Sequence, residues 1–302
     1  PFLSDGADGI TMRTKALGEG AERVVYGLQE FDSRSWSFVG PRLVAKDSRD
    51  LQDEGAKMKF HETFIMTQLK AQGFAQKFNQ VVKQRLSILG GEQNRAARVW
   101  EVTFLDCYVY TYIHENFNFG ILAESLLEPP SRYTKWNGNN GYVHGRDLLA
   151  VDDTASSTGS TSGNDEAELM ALVKHAYRGR RNGDERGTSG KTGVPSRDVP
   201  ITFNPREECY LQAFSHFSYN YSQRSLLVCD LQGVLCSDVG TREGCEGVFQ
   251  LTDPVIHYNS RSGRRQVYGK TDFGKEGIQI FFKTHLCNDV CKLLGLVPKN
   301  HW

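Results

Sequence analysis

The chain has 302 residues, 39% of them hydrophobic, with 36 lysines and arginines set against 36 aspartates and glutamates. That is enough apolar content for a sizeable core, in one large domain or two lobes. Zero net charge argues against a general nucleic-acid or membrane-surface binder, and no apolar run approaches the roughly 20 residues of a membrane helix. There is no signal-peptide pattern, and an opening on Pro1 rather than Met reads as a piece of a longer polypeptide. The seven cysteines, Cys107, Cys209, Cys229, Cys236, Cys245, Cys287 and Cys291, are too few and too scattered for a disulfide framework. They suggest a reducing, cytoplasmic setting in which a close cluster is available for metal.

The first regular stretch begins at Glu22. ERVVYGLQEFDSRSWSFVGPRLVAKDS reads as two or three strands interrupted at Gly40-Pro41, and ALGEGAER ahead of it as a glycine turn feeding a strand. Asp50 stands where it can cap a long helix. Along that helix Phe74, Phe78, Val81, Val82 and Leu86 form one apolar face, with Gly73 as a point of division. RVWEVTFLDCYVYTYI and FGILAESLL return to alternating aromatic and aliphatic residues. The first half, to about Leu127, is therefore sheet plus helix.

The middle differs. DDTASSTGSTSGND and GRRNGDERGTSGKTGVPSRD are too small, polar and glycine-rich to offset the entropy of ordering, so 152–200 reads as a disordered insertion around a short helix at EAELMALVKHAYRG. Order resumes with NPREECYLQAFSHFSY, a helix with Asn204 as N-cap and Pro205 in its first turn, burying Leu211, Phe214 and Phe217. SLLVCDLQGV follows as an apolar strand that stops in Asp, Gln and Gly.

Several residues have the chemistry of a site. His285, Cys287 and Cys291 are spaced so that the two cysteines can share a helix face and the histidine can straddle its entry, which suits a tetrahedral metal. A buried cysteine pair beside an exposed histidine reads equally well. Asp230 and Gln232 alternate past a strand and point the same way, as hard oxygen ligands for magnesium would, or as a polar turn. Asp253 lies in a turn pinned by Pro254, and Gly269 and Gly274 flank Lys270 in a loop able to approach phosphate or a substrate backbone. Upstream, Lys46 ends a strand and Arg23 follows the glycine turn; each alone is an ordinary surface charge. Their order along the chain is that of a two-lobed phosphotransferase, nucleotide first, metal and acceptor second.

Nine segments in order, GEGAERVVY, LVAK, ILAESLL, YTKWNGNNGYV, QAFSHFSY, LLVCDLQGV, LTDP, GKTDFG and THLCNDVC, resemble the catalytic domain of the alpha-kinases. This atypical protein kinase family includes myosin heavy chain kinases, elongation factor 2 kinase and channel-fused kinases. The resemblance runs from about Thr11 to Leu296. It implies an α+β, two-lobed fold, with an N-lobe at about 11–127 and a zinc-stabilised C-lobe at about 128–302. It also implies transfer of the ATP γ-phosphate to Ser/Thr hydroxyls of a protein substrate. By the same resemblance Gly18, Gly20 and Ala21 line the nucleotide turn, Arg23 and Lys46 bind phosphates, and Glu124 sits in the adenine hinge. Asp230 is the proton acceptor and Gln232 and Asp253 hold magnesium and phosphate, with Asp230 and Asp253 able to exchange roles. Gly269 and Gly274 belong to the substrate loop, and His216 becomes the fourth ligand of a structural zinc with His285, Cys287 and Cys291.

The pattern departs in three places. LCSDVGTREGCEGVFQ intervenes between DLQGV and LTDP and threatens to displace Asp253, Thr271 replaces a small residue in the glycine loop, and Trp136 replaces a tyrosine. The competing expectation is a catalytically inactive nucleotide-binding scaffold on the same fold.

Overall fold

The computed structural model describes residues 2–20, 22–89, 99–114, 117–146, 203, 205–237 and 247–296. The disorder expected over 152–200, the short helix within it, Asn204 and Ala21 all lie outside them.

Val, Tyr and Phe alternation produces the first sheet. β1 (Gly9–Glu19), β2 (Arg23–Asp32), β3 (Ser37–Ser48), β5 (Cys107–His114) and β6 (Phe117–Ser125) pair in the order β1-β2-β3-β6-β5, with every pairing antiparallel. Register decides which side chains share a face. Arg23 pairs with Ser48, Val25 with Lys46, Lys46 with Leu122 and Val44 with Glu124. Because side chains alternate along a strand, Arg23, Lys46 and Glu124 all project from one face of the sheet.

Across that face runs α1 (Glu54–Leu89), a single 36-residue helix. It is not divided at Gly73, whose position is solvent-exposed with nothing within 4 Å of a would-be Cβ. Its start is also not at Asp50: the Asp53 carboxylate accepts from Ala56 N at 2.7 Å. The expected apolar face forms, with Phe74, Phe78, Val82 and Leu86 buried. Phe78 meets the rings of Tyr210, Phe214 and Phe217 edge-on at 5.2–5.5 Å, all from α2 (Glu207–Tyr221), which begins with Arg206 at its cap position. Leu211, Phe214 and Phe217 are buried as expected.

A second sheet, in the order β4-β10-β9-β7, comprises β4 (Trp100–Phe104), β7 (Thr134–Lys135), β9 (Gln232–Cys236) and β10 (Gly247–Thr252). Although β4 lies among the strands read as the first half, it pairs in parallel with β10. Trp136, at the tyrosine position, is buried and meets Phe249 edge-on at 5.1 Å. β8 (Leu226–Cys229) and β11 (Val255–Tyr258) form a two-stranded ladder. Then follow α3 (Gly274–Thr284) and α4 (Asp289–Leu293). Residues 1–146 and 201–302 belong to one unit. Among the described residues no helix is long and apolar enough to cross a membrane.

Candidate active site and metal centre

Asp230 lies where the chain passes from β8 to β9, and Asp253 where it passes from β10 to β11. Since β8 pairs with β11 and β9 with β10, these are matched kinks in one bent hairpin: Cys229 faces Val255 on one side and Gln232 faces Thr252 on the other. Both aspartates have left-handed backbone, φ 60° and 52°, a conformation that costs energy in a non-glycine residue and recurs at functional sites. The long segment between DLQGV and LTDP does not displace Asp253, because its ends continue the β9–β10 ladder as far as Cys236 and Val248.

On Asp253 converge two cations from the first sheet. Arg23 Nη1 lies 2.5 Å from Oδ1 and Lys46 Nζ 2.8 Å from Oδ2. The Arg23 guanidinium stacks over Phe64 at 4.0 Å and Phe60 at 5.0 Å, which fixes its plane. Lys46 also pairs closely with Glu124 and donates to Thr252 Oγ1 at 2.9 Å. Burial alone would pull Lys46 down, but the carboxylates of Asp253 and Glu124 more than offset it and hold its pKa above the ordinary lysine value. Burial pushes Asp253 up, and Lys46 and Arg23 outweigh that to hold it below the usual carboxylate range.

Asp230 behaves oppositely. Burial raises its pKa, and the Lys135 ammonium, 2.6 Å from Oδ1, opposes the rise without cancelling it. Gln232 Nε2 contacts Asp230 Oδ2 at 3.4 Å. Two acidic kinks with opposite pKa directions are suited to different work: an accepting carboxylate and one permanently charged.

The structure brings Arg23, Lys46, Glu124, Asp230, Gln232 and Asp253, all named from the sequence, into one region. The Glu124 side chain, assigned by the resemblance to the adenine hinge, turns into the Lys46 cluster. Gly18 is the penultimate residue of β1, and Gly20 N donates to Arg23 O at 2.8 Å to close the turn. Gly269 (φ 96°) rests near Thr63 of α1, and Gly274 (φ 59°) opens α3. Sequence reasoning missed Lys135, Thr252 and Asp272. Lys135 and Thr252 both face Gln232 across ladders, and the buried Asp272 accepts from Tyr258 N and Gly274 N at 2.9 Å each. Lys135 and Thr252 lie inside quoted motifs, but only strand register reveals what they touch.

The candidate metal ligands also meet. One ligand atom each from His216, His285, Cys287 and Cys291 lies within 4.8 Å of all the others. His216 Nδ1 is 3.1 Å from His285 Nε2, Cys287 Sγ is 3.7 Å from His216 Nδ1, and Cys291 Sγ is 3.7 Å from His285 Nε2. A tetrahedral ion with bonds of about 2.0–2.3 Å needs ligand separations of about 3.3–3.8 Å; the two sulfur–nitrogen distances fall in that range and the His216–His285 distance lies just below it, so small side-chain shifts would let the set hold such an ion. Gln212 Oε1, 3.2 Å from His285 Nδ1, orients that ring, another partner sequence reasoning missed. The cysteines do not share a helix: Cys287 lies in the link after α3. Cys291 lies in α4, where Asn288 Oδ1 accepts from its N–H at 3.2 Å. Without a cation burial pushes the Cys291 thiol up to about 12 and pulls His285 down to about 3.

Residues 18–161 and 196–291 match the family model described as the alpha-kinase family. The chain belongs to the alpha-kinase family. Alpha-protein kinase 1 of Dictyostelium discoideum is 46% identical over 89 residues, and myosin heavy chain kinase C of the same organism 40% over 118. Those stretches cover 30% and 39% of this chain but only 5% and 12% of the relatives' lengths. The alpha-kinase domain of myosin heavy chain kinase A in complex with ADP superposes with a TM-score of 0.54 at 20% identity, covering 96% of this chain and 89% of that one. The fold is thus that of an alpha-kinase, of mixed α and β content.

Proposed function

We propose that this alpha-kinase domain is an ATP-dependent protein kinase that transfers the γ-phosphate to Ser/Thr hydroxyls of a protein substrate. The observation that carries the reading is the convergence of Arg23 and Lys46, from one face of the first sheet, on Asp253 at a kink of the bent hairpin. Two fixed cations beside a charged carboxylate suit a triphosphate and its counter-ion. Gln232 and Asp253 supply hard oxygen donors for magnesium, which neutralises phosphate charge when bound. Asp230, with its raised pKa and its place beside Gln232, is the group to accept the substrate hydroxyl's proton. The curated relatives are named as kinases, one of myosin heavy chain, which supports a protein substrate.

His216, His285, Cys287 and Cys291 hold a structural zinc in this reading. Four protein ligands leave no position for substrate, and the ion ties α4 and the α3 link to α2. The domain reads as two lobes, about 11–127 and 128–302, acting in the cytoplasm within a larger protein.

The test is transfer from radiolabelled ATP to a generic protein substrate, beside Lys46→Ala and Asp230→Ala. Each substitution should lower the rate by about a hundred-fold or more. Nucleotide-dependent thermal stabilisation with no transfer by wild type would favour the inactive scaffold.

A further inference from the structure

We propose that Thr252 is a positioning residue for the phosphate-binding ammonium: its hydroxyl, reaching over from the second sheet, draws Lys46 toward Asp253 and shares the Glu124 carboxylate that pairs with it. This rests on the nucleotide reading of the Arg23–Lys46 cluster above.

Lys46 and Glu124 are diagonal neighbours on one face of the first sheet, so their attraction alone would draw the ammonium down against β6. Thr252 enters from β10, one residue before Asp253. Lys46 Nζ donates to its Oγ1 at 2.9 Å, and Oγ1 lies 2.7 Å and 2.9 Å from the two Glu124 oxygens. An ammonium can only donate and a carboxylate can only accept. The hydroxyl therefore accepts from Lys46 and gives its proton to Glu124, a directed relay with one arrangement. Gln68 supports the far side: its Nε2 donates to Leu105 O at 2.6 Å and contacts Glu124 Oε2 at 3.3 Å. All four side chains are buried, Lys46 at 3%, Thr252 at 4%, Glu124 at 2% and Gln68 at 1% exposure, so water cannot replace a lost partner.

With the hydroxyl present, part of the Glu124 charge is met from β10, and Lys46 is held toward Asp253, where phosphates would lie. When Lys46 engages a nucleotide, Glu124 keeps Thr252 and Gln68 as donors. Without the hydroxyl, Glu124 has Lys46 as its main partner and holds the ammonium back. The loss should fall on ligands with phosphates and spare the nucleoside moiety.

The experiment measures affinity for ADP and for adenosine by calorimetry on wild type, Thr252→Ser, Thr252→Val and Thr252→Ala, with melting temperature reporting folding. We expect Thr252→Ser to stay within about two-fold of wild type for both ligands. Thr252→Val should lose about ten-fold for ADP and less than about two-fold for adenosine. Thr252→Ala, which removes bulk rather than adding a methyl group in place of the hydroxyl, should show the same split even if the valine protein fails to fold. ADP affinity unchanged in the folded variants, or adenosine affinity lost in step with ADP, overturns the positioning role and leaves the kinase reading intact. Wild-type protein that binds neither ligand removes the nucleotide reading and this inference with it.

Discussion

Lys135 Nζ lies beside Asp230, and this pair makes the acid–base assignment testable. A proton-accepting carboxylate must be ionised, so activity should fall as pH drops through the Asp230 pKa. Burial has already raised that pKa, so the acid limb should lie above where an ordinary aspartate would put it. Lys135 favours the carboxylate, and its removal must raise the pKa further. Lys135→Met should therefore move the acid limb of the kcat/KM profile to higher pH and leave the alkaline limb in place. An unmoved acid limb would take Asp230 out of the accepting role. Asp253 is held low by two cations, so it should not titrate in that range.

At the scale of elements, the bent hairpin depends on Gly233. A Cβ there would sit 2.0 Å from the carbonyl oxygen of Gln250, with φ at 151°. Backbone cannot yield as a flexible side chain can, so Gly233→Ala should cost about 3 kcal/mol and lower the melting temperature, with loss of nucleotide binding as Gln232 and Thr252 separate. Gly73, exposed in the middle of α1 with open space around it, is the contrasting case. Gly73→Ala should stabilise by about 0.5–1 kcal/mol without touching the site. Calorimetric melts of both variants beside wild type check the pair. A stable Gly233→Ala protein would mean that the β9–β10 approach can relax.

For the whole molecule the proposed metal centre is expected to be the decisive fastening. Its candidate ligands come from α2 and, 69 positions on from His216, from the link after α3 and the adjoining α4, which pack around the core built on Phe78 and Phe214. Elemental analysis should find one zinc per chain. Cys291→Ser should cost about 3 kcal/mol or more, and a strong chelator should lower the melting temperature of wild type but hardly that of the variant. Fully folded, metal-free protein with an unchanged melt would contradict this.

Much was legible in the sequence, because period-2 and period-3.6 patterns are local. The strands around Lys46, the apolar face of α1 and the buried face of α2 follow from spacing alone, whereas the placing of Arg23 and Lys46 on one face of a sheet needs the β2–β3 register. Helix starts were less legible, since Asp50 and Asp53 are both chemically able to cap and only the backbone path chooses. What tertiary structure alone decided is pairing between distant segments: β4 in the second sheet, Thr252 between Lys46 and Glu124, Gln212 behind His285, and the matched kinks that bring Asp230 and Asp253 to one place. Hydrogen-bond registers and ligand tetrahedra join residues by position in space, and one-dimensional spacing carries no record of which partner a strand or a ring will meet.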